Sequence, residues 1–385
     1  MEFHTPNFAG ITLLPQFQDI PIELNSARLY KYSLPFKQPL ILKHTTLHER
    51  EGHILILTDT HGHAGMGEIS PLPGFSHETL ETALLNTTLL LDKMIRTGEF
   101  AAHCYSKKRS GWEDGIAPSV AYFGVETAIL SLLASIKSVT PGELIFGKSS
   151  ERVPINGLIR GSLSDWAPQA EKAIDAGFKT LKVKVGRINS VLEARGIQEI
   201  RKMVGPDIKL RLDANRSWDL VTAIEFGKSV EPTDIEYIEE PVQNPVELPR
   251  FFDACNVPFA FDETLHHVMD PTISFDAYTG LRALVLKPTL VACTARLIAL
   301  VNQARNKGVL PVLSSSYESD VGLTALAQLA GSISGEEIAV GLDTRSALTV
   351  GTTKTPATIE DGWMSTKPLT IQDLDFSHCE LLYES

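Results

Sequence analysis

The chain has 385 residues, 43% hydrophobic and 21% charged, with a formal net charge of −12, a folded-protein composition with room for two domains. An acidic surface repels phosphate backbones, so nucleic acid is not an expected partner. Four scattered cysteines (Cys104, Cys255, Cys293 and Cys379) form no CxxC pair and read as free thiols of a reducing compartment.

No apolar run reaches the roughly 20 residues of a membrane helix. The start, MEFHTPNFAG, lacks the basic and apolar stretches of a signal peptide. The expected setting is the cytoplasm, with no membrane attachment and no obligatory protein partner. Residues 1–25 carry no periodic pattern and read as an N-terminal extension.

Next comes a mixed region, assigned to 26–150. Residues 28–34 and HILILTD (53–59) alternate as strands do. GMGEISPLPGFS runs from a strand into a loop at Pro71, Pro73 and Gly74. HETLETALLNTTLLLDKMI reads as a helix stopped near Gly98, and Pro118 opens a second one, PSVAYFGVETAILSLLASIK. Strands followed by helices make an α+β unit.

From about Arg152 the rhythm changes. VPIN (153–156), TLKVKVG (180–186), KLRLDAN (209–215), IEYIEEP (235–241), FAFDET (259–264), ALVLKPT (283–289), VLPVLSSS (309–316) and IAVGLDT (338–344) read as eight strands with helical segments between them. The expected fold is α/β: a (β/α)7β TIM-like barrel over 151–345. Residues 346–385 lack a further unit and are expected to return to the first domain, completing an α+β capping domain.

The strongest signal is where charge falls. Lys184, Asp213, Glu239, Asp262 and Lys287 end five successive strands, 29, 26, 23 and 25 residues apart, about one βα unit each. A barrel brings such positions to one rim, where barrel enzymes build their sites. Alternation agrees: Lys182 and Lys184 share one face of LKVKV, and Arg211, Asp213 and Asn215 one face of RLDAN. Burying so many charges without a balancing ligand would cost several kcal/mol each. Three neighbouring carboxylates form an all-oxygen cage suited to Mg2+ or Mn2+ rather than zinc. A dication close to the lysines would lower their pKa and open proton abstraction beside a carboxylate. The expected partner is therefore a small-molecule carboxylate.

These residues resemble the enolase superfamily, in which a lysine base works beside Mg2+. The KxK motif is matched by Lys182-Val183-Lys184, the metal acids by Asp213, Glu239 and Asp262, and the sixth-strand lysine by Lys287. GMGEISPLPGFSHET, APSVAYFGVE, RLDANRSW, SSSYES and GLDT are similar to its o-succinylbenzoate synthase branch, the likeness running from about Ser26 to about Arg345. Two aromatics, Tyr122 and Phe123, before Gly124 are a small departure from that pattern.

The resemblance implies Mg2+, with Mn2+ as a substitute, and dehydration of a cyclohexadiene carboxylate. Lys184 would be the base, Lys287 the electrostatic partner on the other face, and Lys182 a tuning group touching the carboxylate. Arg211 and Asn215 lie beside the metal aspartate and are candidate substrate ligands, with a structural ion pair as the other reading of Arg211. Ser314, Ser315 and Ser316 could receive a second carboxylate through hydroxyls and backbone N–H groups. The role of Asp343 is open. Loops near Pro35–Thr46 and Leu72–Phe75 are candidate lids. An N-acylamino-acid racemase or dipeptide epimerase uses the same parts. A Schiff-base lysine aldolase or a non-enzymatic binding protein on the same barrel are more distant readings.

Overall fold

The computed structural model describes residues 13–17, 22–42, 45–97, 119–266 and 275–385. Cys104, Gly98, Pro118 and most of the predicted extension lie outside them. Within that extension, Leu13 is fully buried in the core of the first domain, and the Leu14 N–H donates to Leu144 O at 3.0 Å. This short piece is docked, which its lack of periodicity concealed.

The first domain is an antiparallel sheet of β1 (Leu24–Ile41), β2 (Thr46–Asp59) and β3 (Ala64–Ile69), extended at the β1 edge by a C-terminal strand, with helices packed on it. The helices are α1 (Leu80–Thr97), α2 (Val120–Lys137) and α3 (Pro141–Phe146). Ser119 caps α2, its hydroxyl accepting from Tyr122 N at 3.1 Å. Among the described residues, α2 alone is long and apolar enough to cross a membrane, and 78% of it is buried as a core helix. It lies close on β3: a Cβ at Gly67 would stand 2.0 Å from the Gly124 carbonyl oxygen. Of the stretch Pro35–Thr46, read above as a loop, residues 35–41 belong to β1 and Thr46 to β2, with Leu40 opposite Leu47.

Strand β4 (Arg152–Pro154) leads into the barrel. The barrel sheet is β5 (Asn156–Ile159), β6 (Thr180–Lys184), β7 (Lys209–Asp213), β8 (Ile235–Glu239), β9 (Phe259–Phe261), β10 (Leu281–Leu286) and β11 (Leu310–Leu313), all parallel and paired in sequence order. Its outer helices are α4 (Leu163–Asp175), α5 (Ser190–Val204), α6 (Leu220–Val230), α7 (Leu248–Cys255), α8 (Glu263–His266), α9 (Pro288–Val291), α10 (Thr294–Asn306) and α11 (Asp320–Ile333).

The expected eighth strand is only a bridging segment. Val340 bridges Ile155 and Gly341 bridges Ser314, both in parallel, which closes the ring between β5 and β11. The approach at Gly341 is tight, since a Cβ there would meet Ser314 Oγ at 2.7 Å. The tail divides. β12 (Ile359–Glu360) and β13 (Trp363–Ser365) pair with β4 beside the barrel, while β14 (Cys379–Glu384) pairs with β1 of the first domain.

Alternation along the barrel strands sorts the side chains. Leu181, Val183, Leu210, Leu212 and Ile238 face the helices in the main core. Tyr237, Ala260, Ala283, Val285 and Val312 fill the barrel interior. The intervening interior positions at the C-terminal ends carry the charges.

Candidate active site

Strand register assembles the rim. Lys184 lies opposite Asp213 across β6 and β7, and Asp213 opposite Glu239 across β7 and β8. Asp262 follows the last residue of β9, and Lys287 follows β10 as the N-cap position of α9. Lys182 Nζ bridges two carboxylates, 2.6 Å from Glu239 Oε2 and 2.9 Å from Asp213 Oδ2. Lys184 Nζ donates to Asp213 Oδ2 at 2.5 Å and to Asn215 Oδ1 at 2.9 Å. Lys287 Nζ donates to Asp262 Oδ2. All five strand-end charges, with Lys182 and Asn215, are thus brought into one connected mouth.

Burial sets the electrostatics. It would lower Lys182, but the Asp213, Glu239 and Asp262 carboxylates around it raise it well above the ordinary range. Lys287 is raised too, its own burial outweighed first by Asp262 and then by Glu239. Burial would raise Asp213, yet Lys182 and Lys184 hold it well below the usual carboxylate range. Glu239 goes the other way, pushed well up by burial and then by the Asp213 carboxylate. With only these groups present, Lys182 and Lys287 are held protonated. The lowering expected from the sequence requires a bound dication, which would compete with the ammoniums for the carboxylates.

The match to known families is extensive. Residues 165–368 match the model described as "Enolase C-terminal domain-like", and residues 24–132 match "MenC, N-terminal domain". The o-succinylbenzoate synthase of Proteus mirabilis is 36% identical over 324 residues, covering 83% of this chain and 90% of that protein. The chain belongs to the o-succinylbenzoate synthase family of the enolase superfamily. An enolase-superfamily protein of Listeria innocua has the same fold, with a TM-score of 0.79 at 18% identity over 95% of this chain and 99% of that one. So does the dipeptide epimerase of Cytophaga hutchinsonii, solved with Mg and a dipeptide, with a TM-score of 0.72 at 23% identity over 90% and 93%.

As an o-succinylbenzoate synthase family member the chain is an enzyme of the lyase class. Members of its superfamily bind a divalent metal. Among the described residues, no three His, Cys, Asp or Glu side chains converge as a ready-made metal cage, because the lysine ammoniums stand on the carboxylate oxygens instead. The donor set still fits a hard dication in kind: three carboxylates from neighbouring strands, with Glu239 Oε1 buried and lacking a hydrogen-bond partner.

Two expectations from sequence need correction. Arg211 is not at the mouth. It is fully buried one layer down, its Nε 2.6 Å from Glu236 Oε2 and its Nη1 2.7 Å from Ala339 O, with the guanidinium over the Tyr237 ring. Its fork is filled by protein, which makes it a structural cation rather than a substrate ligand. A bulge between Leu210 and Arg211 in the pairing with β8 leaves Glu236 beside it. The second correction concerns the serines. The N–H groups of Ser314, Ser315 and Ser316 already donate to Leu286 O, Gly341 O and Glu318 Oε2, so none is left for a substrate. Their hydroxyls differ. Those of Ser314 and Ser315 donate to Gly341 O at 3.3 and 3.2 Å, while Ser316 Oγ is buried without a partner.

Several residues of the site went unnoticed in sequence. The fully buried Glu240 accepts from Asp262 N, Thr264 N and Arg216 Nε, and so fixes the turn that carries Asp262. Glu263 accepts from Asn215 Nδ2 at 2.9 Å. Arg50, on β2 of the first domain, donates to Ser70 O and Pro71 O at the root of the Leu72–Phe75 loop, and also to Tyr317 O. Glu318 accepts from Ser316 N and Thr289 Oγ1, joining the serine segment to the turn after Lys287. The doublets EEP and FDET were visible signals for the two acids. Nothing in HEREGH distinguishes a buried arginine. Asp343 is held near β5, with Oδ2 3.5 Å from Leu158 N, and burial raises its pKa.

Proposed function

We propose that this mouth dehydrates 2-succinyl-6-hydroxy-2,4-cyclohexadiene-1-carboxylate to o-succinylbenzoate, a step of menaquinone biosynthesis. Lys184 takes the proton α to the ring carboxylate, and the electron pair of that C–H bond moves into an enediolate. The enediolate then expels hydroxide from the neighbouring carbon. The same lysine, now an ammonium on the same face, gives that hydroxide its proton, so water leaves with syn geometry. Aromatisation drives the step, and the protein's task is to stabilise the anion.

Lys287, from the far side, offers a fixed positive charge to the enediolate, and Lys182 orients the carboxylate. Asp213, Glu239 and Asp262 would hold Mg2+, with Mn2+ as a substitute, and the bound dication would supply positive charge to the substrate carboxylate. Of the three serines, Ser316 keeps a hydroxyl that no protein group engages, and it would receive the succinyl carboxylate, while the first domain's loops would cover the mouth. The cytoplasm is the proposed place of action.

What supports this reading is the strand order. Lys184 on β6 and Lys287 after β10 flank the three carboxylates of β7, β8 and β9. Two lysines on opposite faces also suit an epimerase, the activity named for the Cytophaga hutchinsonii structure. Following the ultraviolet change of the cyclohexadiene with the full chain, with and without Mg2+, tests the proposal, with dipeptides and N-acylamino acids offered in parallel. We expect metal-dependent turnover of the cyclohexadiene. Turnover of the amino-acid substrates alone would overturn the assignment.

A further inference from the structure

One half-buried acid at the mouth has no part in the chemistry above. Glu263 directly follows Asp262 as the first residue of α8. Its Oε1 accepts from Asn215 Nδ2 at 2.9 Å, and the Oδ1 of that amide accepts from Lys184 Nζ at 2.9 Å. The second acceptor for Lys184 is Asp213 Oδ2 at 2.5 Å. We propose that Glu263 is a positioning residue for Lys184, acting through the side-chain amide of Asn215. The inference rests on the reading of Lys184 as the base.

What each group can donate decides the orientation. An amide has a donor end and an acceptor end of nearly the same shape, so its partners decide which way it faces. A carboxylate only accepts. Glu263 therefore draws the NH2 of Asn215 towards itself and turns the carbonyl oxygen to Lys184.

That orientation matters to a base. A neutral lysine nitrogen carries Cε, two hydrogens and one lone pair in tetrahedral directions. Asp213 and Asn215 accept both hydrogens, and the lone pair is left with the one remaining direction. After proton abstraction the new N–H points the same way, as a syn elimination requires. A flipped Asn215 would instead aim N–H at the lysine and tie up the lone pair in a hydrogen bond.

The local backbone holds this arrangement. Asn215 and Arg216 sit in the left-handed region, with φ of 45° and 58°, where residues with side chains are costly and persist only when fixed by their surroundings. The Asn215 N–H donates to Asp213 Oδ1 at 3.2 Å, and the Arg216 N–H to Glu240 O at 2.8 Å. The amide is thus delivered from a turn already anchored to the same aspartate that contacts the lysine.

The test is Glu263→Gln in the full chain with Mg2+, assayed on the cyclohexadiene carboxylate. Gln can offer Asn215 either a donor or an acceptor, so the amide loses its enforced direction. We expect kcat to fall about tenfold to a hundredfold, the scale of a misplaced catalytic group, with KM and metal affinity unchanged. The isotope effect with α-deuterated substrate should rise as proton abstraction becomes slower. In an Asn215→Ala background the same change should add no further loss, because the path to Lys184 is already cut.

Unchanged kcat in Glu263→Gln would overturn the proposal, as would a full multiplicative loss in the Asn215→Ala background. Glu263→Ala, read on the same quantities, replaces Glu263→Gln if that variant does not fold. Lys184→Ala separates the two layers of the argument. An active Lys184→Ala breaks the reading of the base itself, whereas an inactive one beside an unaffected Glu263→Gln breaks only the role of Glu263.

Discussion

Arg211 and Asp213 stand two residues apart on the same face of β7, yet one is structure and the other belongs to the candidate site. Around Arg211 the charges balance: Glu236, Ala339 O and Asn156 accept from its guanidinium, and Tyr237 lies beneath it. Around Asp213 they do not. Four buried or half-buried acids (Asp213, Glu239, Asp262 and Glu263) meet three lysines, and Glu239 and Glu263 both keep a buried oxygen without a partner. Burial and the neighbouring Asp262 carboxylate raise Glu263 as well. A barrel interior thus reads as structural where its charges close on themselves, and as a site where an acid surplus is left for a ligand.

The largest effect that can break this comparison is at the mouth. Lys184→Ala is expected to lower kcat by about a thousandfold or more, the scale of a lost general base, while metal binding persists. Lys287→Ala should lose about a hundredfold, as for one lost electrostatic contact to the developing anion. Steady-state turnover and metal titration check both. A near-normal Lys184→Ala would remove the base, and a Lys287→Ala as inactive as Lys184→Ala would favour chemistry on both faces.

One layer below, the prediction reverses. Arg211→Met leaves the half-buried Glu236 with only the more distant Lys209, 3.6 Å away, and should cost up to about 3 kcal/mol of stability, read by denaturant unfolding, with KM unchanged. A raised KM at intact stability would place Arg211 back among the substrate ligands.

The last effect lies in the first domain and appears only at acid pH. Burial, and next the Lys31 ammonium, lower the His53 imidazole from 6.5 to about 4. The folded state therefore binds this proton less tightly than the unfolded state. Its contribution is complete above pH 6.5 and is lost as the pH falls towards 4. The loss amounts to at most about 3 kcal/mol. His53→Gln should flatten the fall of Tm over that interval, and an unchanged slope would show that other groups set it.

Much of this was legible in the sequence because a strand's period of two converts position directly into facing. LKVKV and RLDAN announce which residues enter the barrel, and evenly spaced strand-end charges announce a shared rim. What alternation does not carry is depth along the strand or the partner waiting there. Arg211 and Asp213 therefore looked alike until Glu236 was placed beside one of them. The closing segment was overread as a strand because IAVGLDT has strand composition, whereas only Val340 and Gly341 bridge their neighbours. Arg50, Glu240 and Glu318 were missed for one reason. Their roles are contacts with carbonyls and N–H groups distant in sequence, and no local pattern records those.

The most direct test of the account asks whether the three carboxylates serve one cation. Mn2+ binding, followed by electron paramagnetic resonance, should give one site per chain in the parent protein and weaker binding in each of Asp213→Asn, Glu239→Gln and Asp262→Asn. Binding that all three variants leave unchanged would contradict it.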